Sequence, residues 1–150
     1  MANERVVSKV TITTLVHATE NETKVAKAVQ TLFPKDANVP PFNRSKLKGY
    51  FGDPITTIKV QVKNRKPASD LFDNLLKHLS SLDVTDLIEG LPQRIDESNN
   101  LYLRFDKQKA CQGKIVLSSH DALKVKIRLQ LPHKEDPVPL LTGYIEAKTL

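Results

Sequence analysis

The sequence predicts an α+β fold, a two-layer sandwich in which a mixed or antiparallel sheet of about five strands carries helices on one face. Two observations predict it. Several short segments alternate apolar and polar residues with the two-residue rhythm of half-buried strands, and others repeat apolar residues at helical intervals. The alternating segments also place charge on their polar parity, as a sheet with one face open to water requires.

In the first segment Val10, Ile12 and Val16 share one parity, while Lys9, Thr11 and Thr13 take the other. The strand ends near His17. Thr19 and Glu22 have capping-box spacing, and Val25, Ala26, Val29, Leu32 and Phe33 then follow a helical period until Pro34. From Pro34 to Pro54 the chain is rich in Pro, Gly, Asn and Lys and reads as an irregular basic connection. A second strand alternates Ile58, Val60 and Val62 with Lys59, Gln61 and Lys63. A second helix begins near Pro67 to Asp70 and shows Leu71, Phe72, Leu75, Leu76 and Leu79 as an apolar stripe.

Asp83 to Glu89 predicts a short third helix, ended by Gly90 and Pro92, with room for one more turn through Ile95. The third strand is Leu101 to Phe105, with Leu101, Leu103 and Phe105 inward and Tyr102 and Arg104 outward. A helical turn from Asp106 to Gln112, closed by Gly113, leads to a fourth strand at Lys114 to Leu117. The fifth, Ala122 to Leu131, sets Leu123, Val125, Ile127, Leu129 and Leu131 against Lys124, Lys126, Arg128 and Gln130. These elements define one domain over residues 1–131. Residues 132–150 form a C-terminal tail that adds a helix or a strand, or frays.

With 150 residues the chain can bury a real core without staples. Cys111 is the single cysteine, so no intramolecular disulfide forms, and no Cys/His group has metal-ligand spacing. A cytoplasmic location, no cofactor and no bound metal are expected. Cys111 itself reads as a small buried apolar residue. The apolar stretch Val6 to Val16 is broken by Ser8, Lys9, Thr11, Thr13 and Thr14, so no membrane contact is expected.

Net charge is +6 and its distribution is uneven. Arg44 to Lys66 carries seven Lys/Arg (44, 46, 48, 59, 63, 65, 66) against Asp53. Leu101 to Leu131 carries seven (104, 107, 109, 114, 124, 126, 128) against Asp106 and Asp121. Asp83 to Glu97 instead holds five acids and only Arg94. Cations two apart on a strand lie roughly 6.6–6.8 Å apart, near the phosphate repeat of a nucleic-acid strand, and each neutralised phosphate releases counterions.

The expected RNA-binding residues are therefore Lys59, Lys63, Tyr102, Arg104, Lys124, Lys126 and Arg128 on strand parities, with Arg44, Lys46, Lys48 and Tyr50 of the basic connection at the rim. Tyr102 is the only aromatic on those parities, which points to a structured RNA recognised through its backbone rather than to base stacking. The same pattern also fits an ordinary solvated face. In that case the chain is a protein-interaction or oligomerisation module without RNA affinity, pairing through a sheet edge or the tail, as monomer or homodimer.

An enzyme would have to draw on His17, Glu20, Asp53, Asp96, Glu97, Asp106 and His120. None has nucleophile, metal-ligand or paired-carboxylate spacing, and most stand beside turns, where acids cap backbone amides. No catalysis is expected. Gly49 to Ile55 reads as a turn rather than a phosphate loop, because no Lys-Ser/Thr pair and no helix follow it.

Three runs together, His17-Ala-Thr-Glu-Asn21, Gly49-Tyr-Phe-Gly-Asp-Pro-Ile55, and Arg94-Ile-Asp-Glu97 followed by Leu101-Tyr-Leu-Arg-Phe-Asp-Lys-Gln108, resemble an archaeal family described as a predicted exosome subunit or RNA-binding protein. The likeness covers about residues 5–131 in the same order. It implies a fold similar to the ribosomal protein that holds 5S ribosomal RNA, with exosome or RNase P proteins as partners. Asp53 stands where an Asn is expected in that family.

Overall fold

A computed structural model of the chain describes residues 6–48, 54–120, 122–132 and 135–149, without the side chains of 47 and 48. The elements in order are β1 (Val7–Val16), α1 (Glu22–Thr31), β2 (Asn43–Lys48), β3 (Pro54–Val62), α2 (Arg65–His78), α3 (Ser81–Arg94), β4 (Asn100–Asp106), α4 (Lys107–Cys111), β5 (Ala122–Leu129) and α5 (Pro137–Thr149). The five strands form one sheet in the order β2-β3-β1-β5-β4. Every neighbouring pair is antiparallel.

The alternation seen in the sequence decides which face is covered. Val10, Ile12, Val60, Val62, Leu101, Leu103, Phe105, Leu123, Val125 and Ile127 form the buried parity, and Val29, Leu32, Leu71, Phe72, Leu75, Leu87 and Leu91 of the helices pack with them in one core cluster. Between Val7 and Lys9 the pairing of β1 with β5 shifts register, as a bulge does when one strand carries an extra residue. Val7 therefore shares the buried face with Val10 and Ile12.

Four expectations about the secondary-structure elements are corrected. β2 lies inside the stretch expected to be irregular. It pairs with β3 from Asn43–Lys59 to Lys48–Pro54, and as a sheet edge it needs no apolar alternation to hold it. The expected strand at Lys114 to Leu117 is reduced to a single bridge, Leu117 to Phe105. Two backbone hydrogen bonds flank that bridge, from the Asp106 amide to the Val116 carbonyl at 2.8 Å and from the Ser118 amide to the Arg104 carbonyl at 2.9 Å, while the Leu117 amide donates to the Asp83 carboxylate at 3.0 Å. The third helix is one continuous element from Ser81 to Arg94 that Gly90 and Pro92 do not end before the further turn, because Leu87 and Leu91, one turn apart, are both fully buried. The helix after β1 is capped by Asn21, whose side chain accepts the Thr23 and Lys24 amides at 2.9 and 3.2 Å, and not by Thr19.

The tail is a helix. Leu141 and Ile145 of α5 are fully buried, Tyr144 stacks on Phe72 with ring centroids 5.8 Å apart, and Asp73 of α2 holds Lys148 at 3.4 Å. Its buried residues are thus consumed within the chain rather than offered to a second copy. Cys111, expected to be buried, is partly exposed, and its thiol donates to the Lys24 carbonyl at 3.4 Å. No helix among the described residues is long and apolar enough to cross a membrane.

Candidate nucleic-acid interface

β5 is buried on one parity and exposes Lys124, Lys126 and Arg128 on the other. Sheet register then decides what stands beside each. Lys124 lies between Thr13 of β1 and Arg104 of β4, Lys126 between Thr11 and Tyr102, and Arg128 between Lys9 and Asn100. Across β1, Thr13 faces Lys59 and Thr11 faces Gln61 of β3. Directly opposite residues in antiparallel strands point to the same side, so these side chains form rows over one surface.

They line an open groove of about 630 Å³. Its cations are Lys9, Lys59, Arg104, Lys124, Lys126 and Arg128, and no carboxylate lines it among the described residues. Arg104, Lys124, Lys126 and Arg128 of β4 and β5 stand on one side, and Lys59 of β3 on the other, of a β1 floor that carries the Thr11 and Thr13 hydroxyls and ends in Lys9. With like charges at strand spacing and no carboxylate among its described lining residues, the surface is strongly positive and can take an anion that repeats.

Tyr102 has a different job from the one a stacking aromatic would have. Its hydroxyl donates to Asp96 at 2.8 Å, and the Lys126 ammonium lies 6.0 Å from its ring centroid. Asp96 also accepts the Ser98 and Asn100 amides, each at 2.9 Å. The Asn100 amide, first, and then the Tyr102 hydroxyl hold the Asp96 carboxyl down at about 2, and the same carboxylate pushes the Tyr102 hydroxyl up.

Of the residues expected from sequence, Lys59, Tyr102, Arg104, Lys124, Lys126 and Arg128 share this groove. Lys63 lies one residue past the end of β3 and lines a second groove instead. Arg44 and Lys46 stand opposite Ile58 and Thr56, the parity that faces the helices, so they belong to the other side of the sheet. Arg44 is accordingly bound to Glu22 of α1 at 2.7 Å. Lys48 occupies the register position opposite Pro54, and its side chain lies outside the described residues, as do Tyr50, Asp53 and the rest of the 49–53 stretch, Asp121, and 133–134. Lys9 was missed, although its parity with Thr11 and Thr13, opposite to Val10 and Ile12, marks it.

Of the acids weighed for an enzyme, Asp96, Asp106 and Glu20 have structural work. Asp106 caps α4 by accepting the Lys109 amide at 2.8 Å, and Glu20 accepts the His17 amide at 2.9 Å. Glu20 also pairs with Lys107, which is 2% exposed and donates to the Leu15 carbonyl at 2.7 Å. His120 and Glu97 are exposed. No group of three or more His, Cys, Asp or Glu among the described residues could hold a metal ion.

Comparison with known proteins follows the same direction. A family model described as RNA binding matches residues 9–130. The RNA-binding protein PAB1135 of Pyrococcus abyssi is 34% identical over 142 residues, covering 92% of each chain. An uncharacterized protein of Methanocaldococcus jannaschii, MJ0213, is 31% identical over 139 residues, covering 87% of this chain and 92% of its own. The crystal structure of protein AF2318 from Archaeglobus fulgidus superposes with a TM-score of 0.78 at 30% identity, over 95% of this chain and 99% of that one.

Proposed function

We propose a function from one premise: this chain belongs to the family described as RNA binding, and it holds RNA on the uncovered face of its sheet. The observation that carries the second half is the groove on that face, in which six cations (Lys9, Lys59, Arg104, Lys124, Lys126, Arg128) surround a threonine floor without a carboxylate among the described residues. Cations on one strand repeat at roughly 6.6–6.8 Å, close to the spacing of successive phosphates, so one RNA strand can be neutralised at several points at once. Because Tyr102 is tied to Asp96, contacts to phosphate and sugar dominate, and the preferred ligand is a structured RNA recognised by its backbone.

The likeness of the three sequence runs to a family described as a predicted exosome subunit supports a finer proposal. In it the chain is a cytoplasmic, non-catalytic accessory protein beside exosome or RNase P proteins, with a fold akin to the 5S-rRNA-binding ribosomal protein. Asp86 and Glu89, exposed on α3, would face that protein partner. The apolar core shared by the sheet and α5 supports treating the whole chain as one domain.

Titrating a structured RNA into labelled protein and following backbone amide signals tests the site. Shifts should concentrate on Lys9 to Thr13, Lys59 to Gln61, Tyr102 to Arg104 and Lys124 to Arg128. Shifts confined to α1, α2 and α3 would reject the sheet face as the binding surface.

A further inference from the structure

Beside the basic groove lies a second one of about 710 Å³, within the roughly 300–1,000 Å³ typical of small-ligand sites. It opens between the end of α1, the end of β3 and the start of α2. Phe33, Pro34, Val62 and Pro67 give it apolar walls. Three amides, Asn38, Gln61 and Asn64, line it as well, and each offers both a donor and an acceptor. Asn64 precedes α2 as its cap residue yet makes no side-chain cap hydrogen bond, so its amide is not used by the helix. Gln61 lines both grooves, and Lys63 continues the polar parity of β3 out of the first groove to the wall of the second.

We infer that this second groove takes one unpaired nucleobase of an RNA whose backbone lies on the sheet face. The inference rests on the RNA reading of that face and adds a means of selecting among RNAs. The walls match such a ligand. A base is flat, uncharged and apolar on its faces, and its edge carries donors and acceptors, which the proline and phenylalanine walls and the three amides answer in turn. Charge agrees too: Lys63 and Lys66 are balanced by Asp36 and Asp70, with Lys66 bound to Asp70 at 3.1 Å, so the groove is near neutral while its neighbour is strongly positive. A phosphate chain would favour the first groove and a base the second. Continuity through Gln61 and Lys63 lets one nucleotide reach from one to the other.

The experiment compares the full-length protein on two hairpins with the same stem, one fully paired and one with a single bulged nucleotide. The bulged hairpin should bind about tenfold more tightly, the scale of one stacked base. Asn38 is exposed, so Asn38→Trp fills the groove from its rim, and it should bring the two affinities together. Asn64→Ala, which removes an amide that caps nothing, should shrink the preference as well. Equal binding of both hairpins by the unaltered protein would overturn the inference while leaving the sheet-face reading intact. So would a preference that survives Asn38→Trp, the outcome expected if the groove serves a peptide instead. Failure to bind either hairpin would reject the sheet face, and the base site with it.

Discussion

Tyr102 on β4 donates its hydroxyl to the Asp96 carboxylate at 2.8 Å, closing the turn that leads into its own strand. The Asn100 amide and then this hydroxyl hold the Asp96 carboxyl at about 2, against an ordinary 3.8. A carboxyl lowered by folding contributes stability that is fully present above its unfolded value and is lost as pH falls from there through the folded one. The window is therefore between about pH 4 and pH 2. Tyr102→Phe should raise the Asp96 titration midpoint while leaving it below the unfolded value, because the Asn100 and Ser98 amides remain. Carbon-detected NMR of the carboxyl during acid titration reads this directly, and an unmoved midpoint would show that the hydroxyl does not hold the charge.

Glu20 sets up a second test. It pairs with Lys107 at 3.1 Å, and that lysine is 2% exposed. Glu20→Gln withdraws a carboxylate from a buried ammonium and should cost about 2 kcal/mol, the scale of a hydrogen bond to a charged group. The midpoint of urea unfolding should fall accordingly. A change of a few tenths would mean that other groups around Lys107 carry its charge.

The C-terminal helix yields a third. Leu141 is fully buried in the core shared with the sheet. Leu141→Ala should destabilise the whole protein by about 2–5 kcal/mol, and all probes of unfolding should move together. Loss of helix α5 alone, with the sheet transition unchanged, would show instead that the tail folds as a separate unit.

Two glycines should respond with opposite sign. Gly113 closes α4 with φ of 81°, so Gly113→Ala should cost about 1–2 kcal/mol although nothing crowds its Cβ position. Gly143 lies within α5 with open space around it, and Gly143→Ala should stabilise by about 0.5–1 kcal/mol. Thermal unfolding of the two variants gives both signs.

How far the sequence could be read follows from what each pattern encodes. The parity of Lys124, Lys126 and Arg128 was legible because their neighbours Leu123, Val125 and Ile127 are buried on the other face. β2 was not, because an edge strand such as Asn43–Lys48 is held by backbone bonds to β3 and needs no apolar rhythm. Without β2 there was no register to show that Arg44 and Lys46 face the helices. Gly90 and Pro92 misplaced the end of α3 because their local cost is outweighed by the burial of Leu91, a tertiary effect. Lys107 carries no sequence signal at all: a lysine in a five-residue helix reads as solvent-facing until Glu20 and the Leu15 carbonyl are seen around it. The groove assembled from β1, β3, β4 and β5 was legible in its cations and not in its threonine floor, since a threonine on a polar parity looks the same on any open sheet.

In the proposed function one face, and not net charge, binds RNA. Two triple variants remove the same charge: Lys124→Gln with Lys126→Gln and Arg128→Gln on the sheet, and Lys24→Gln with Lys27→Gln and Lys77→Gln on the helices. Binding to a structured RNA across a salt titration compares them. The sheet variant should bind more weakly and lose about 2–3 units from the salt slope, nearly one for each lost phosphate contact, while the helix variant keeps the slope of the unaltered protein. Equal losses in both would show that net charge, not the sheet face, governs binding.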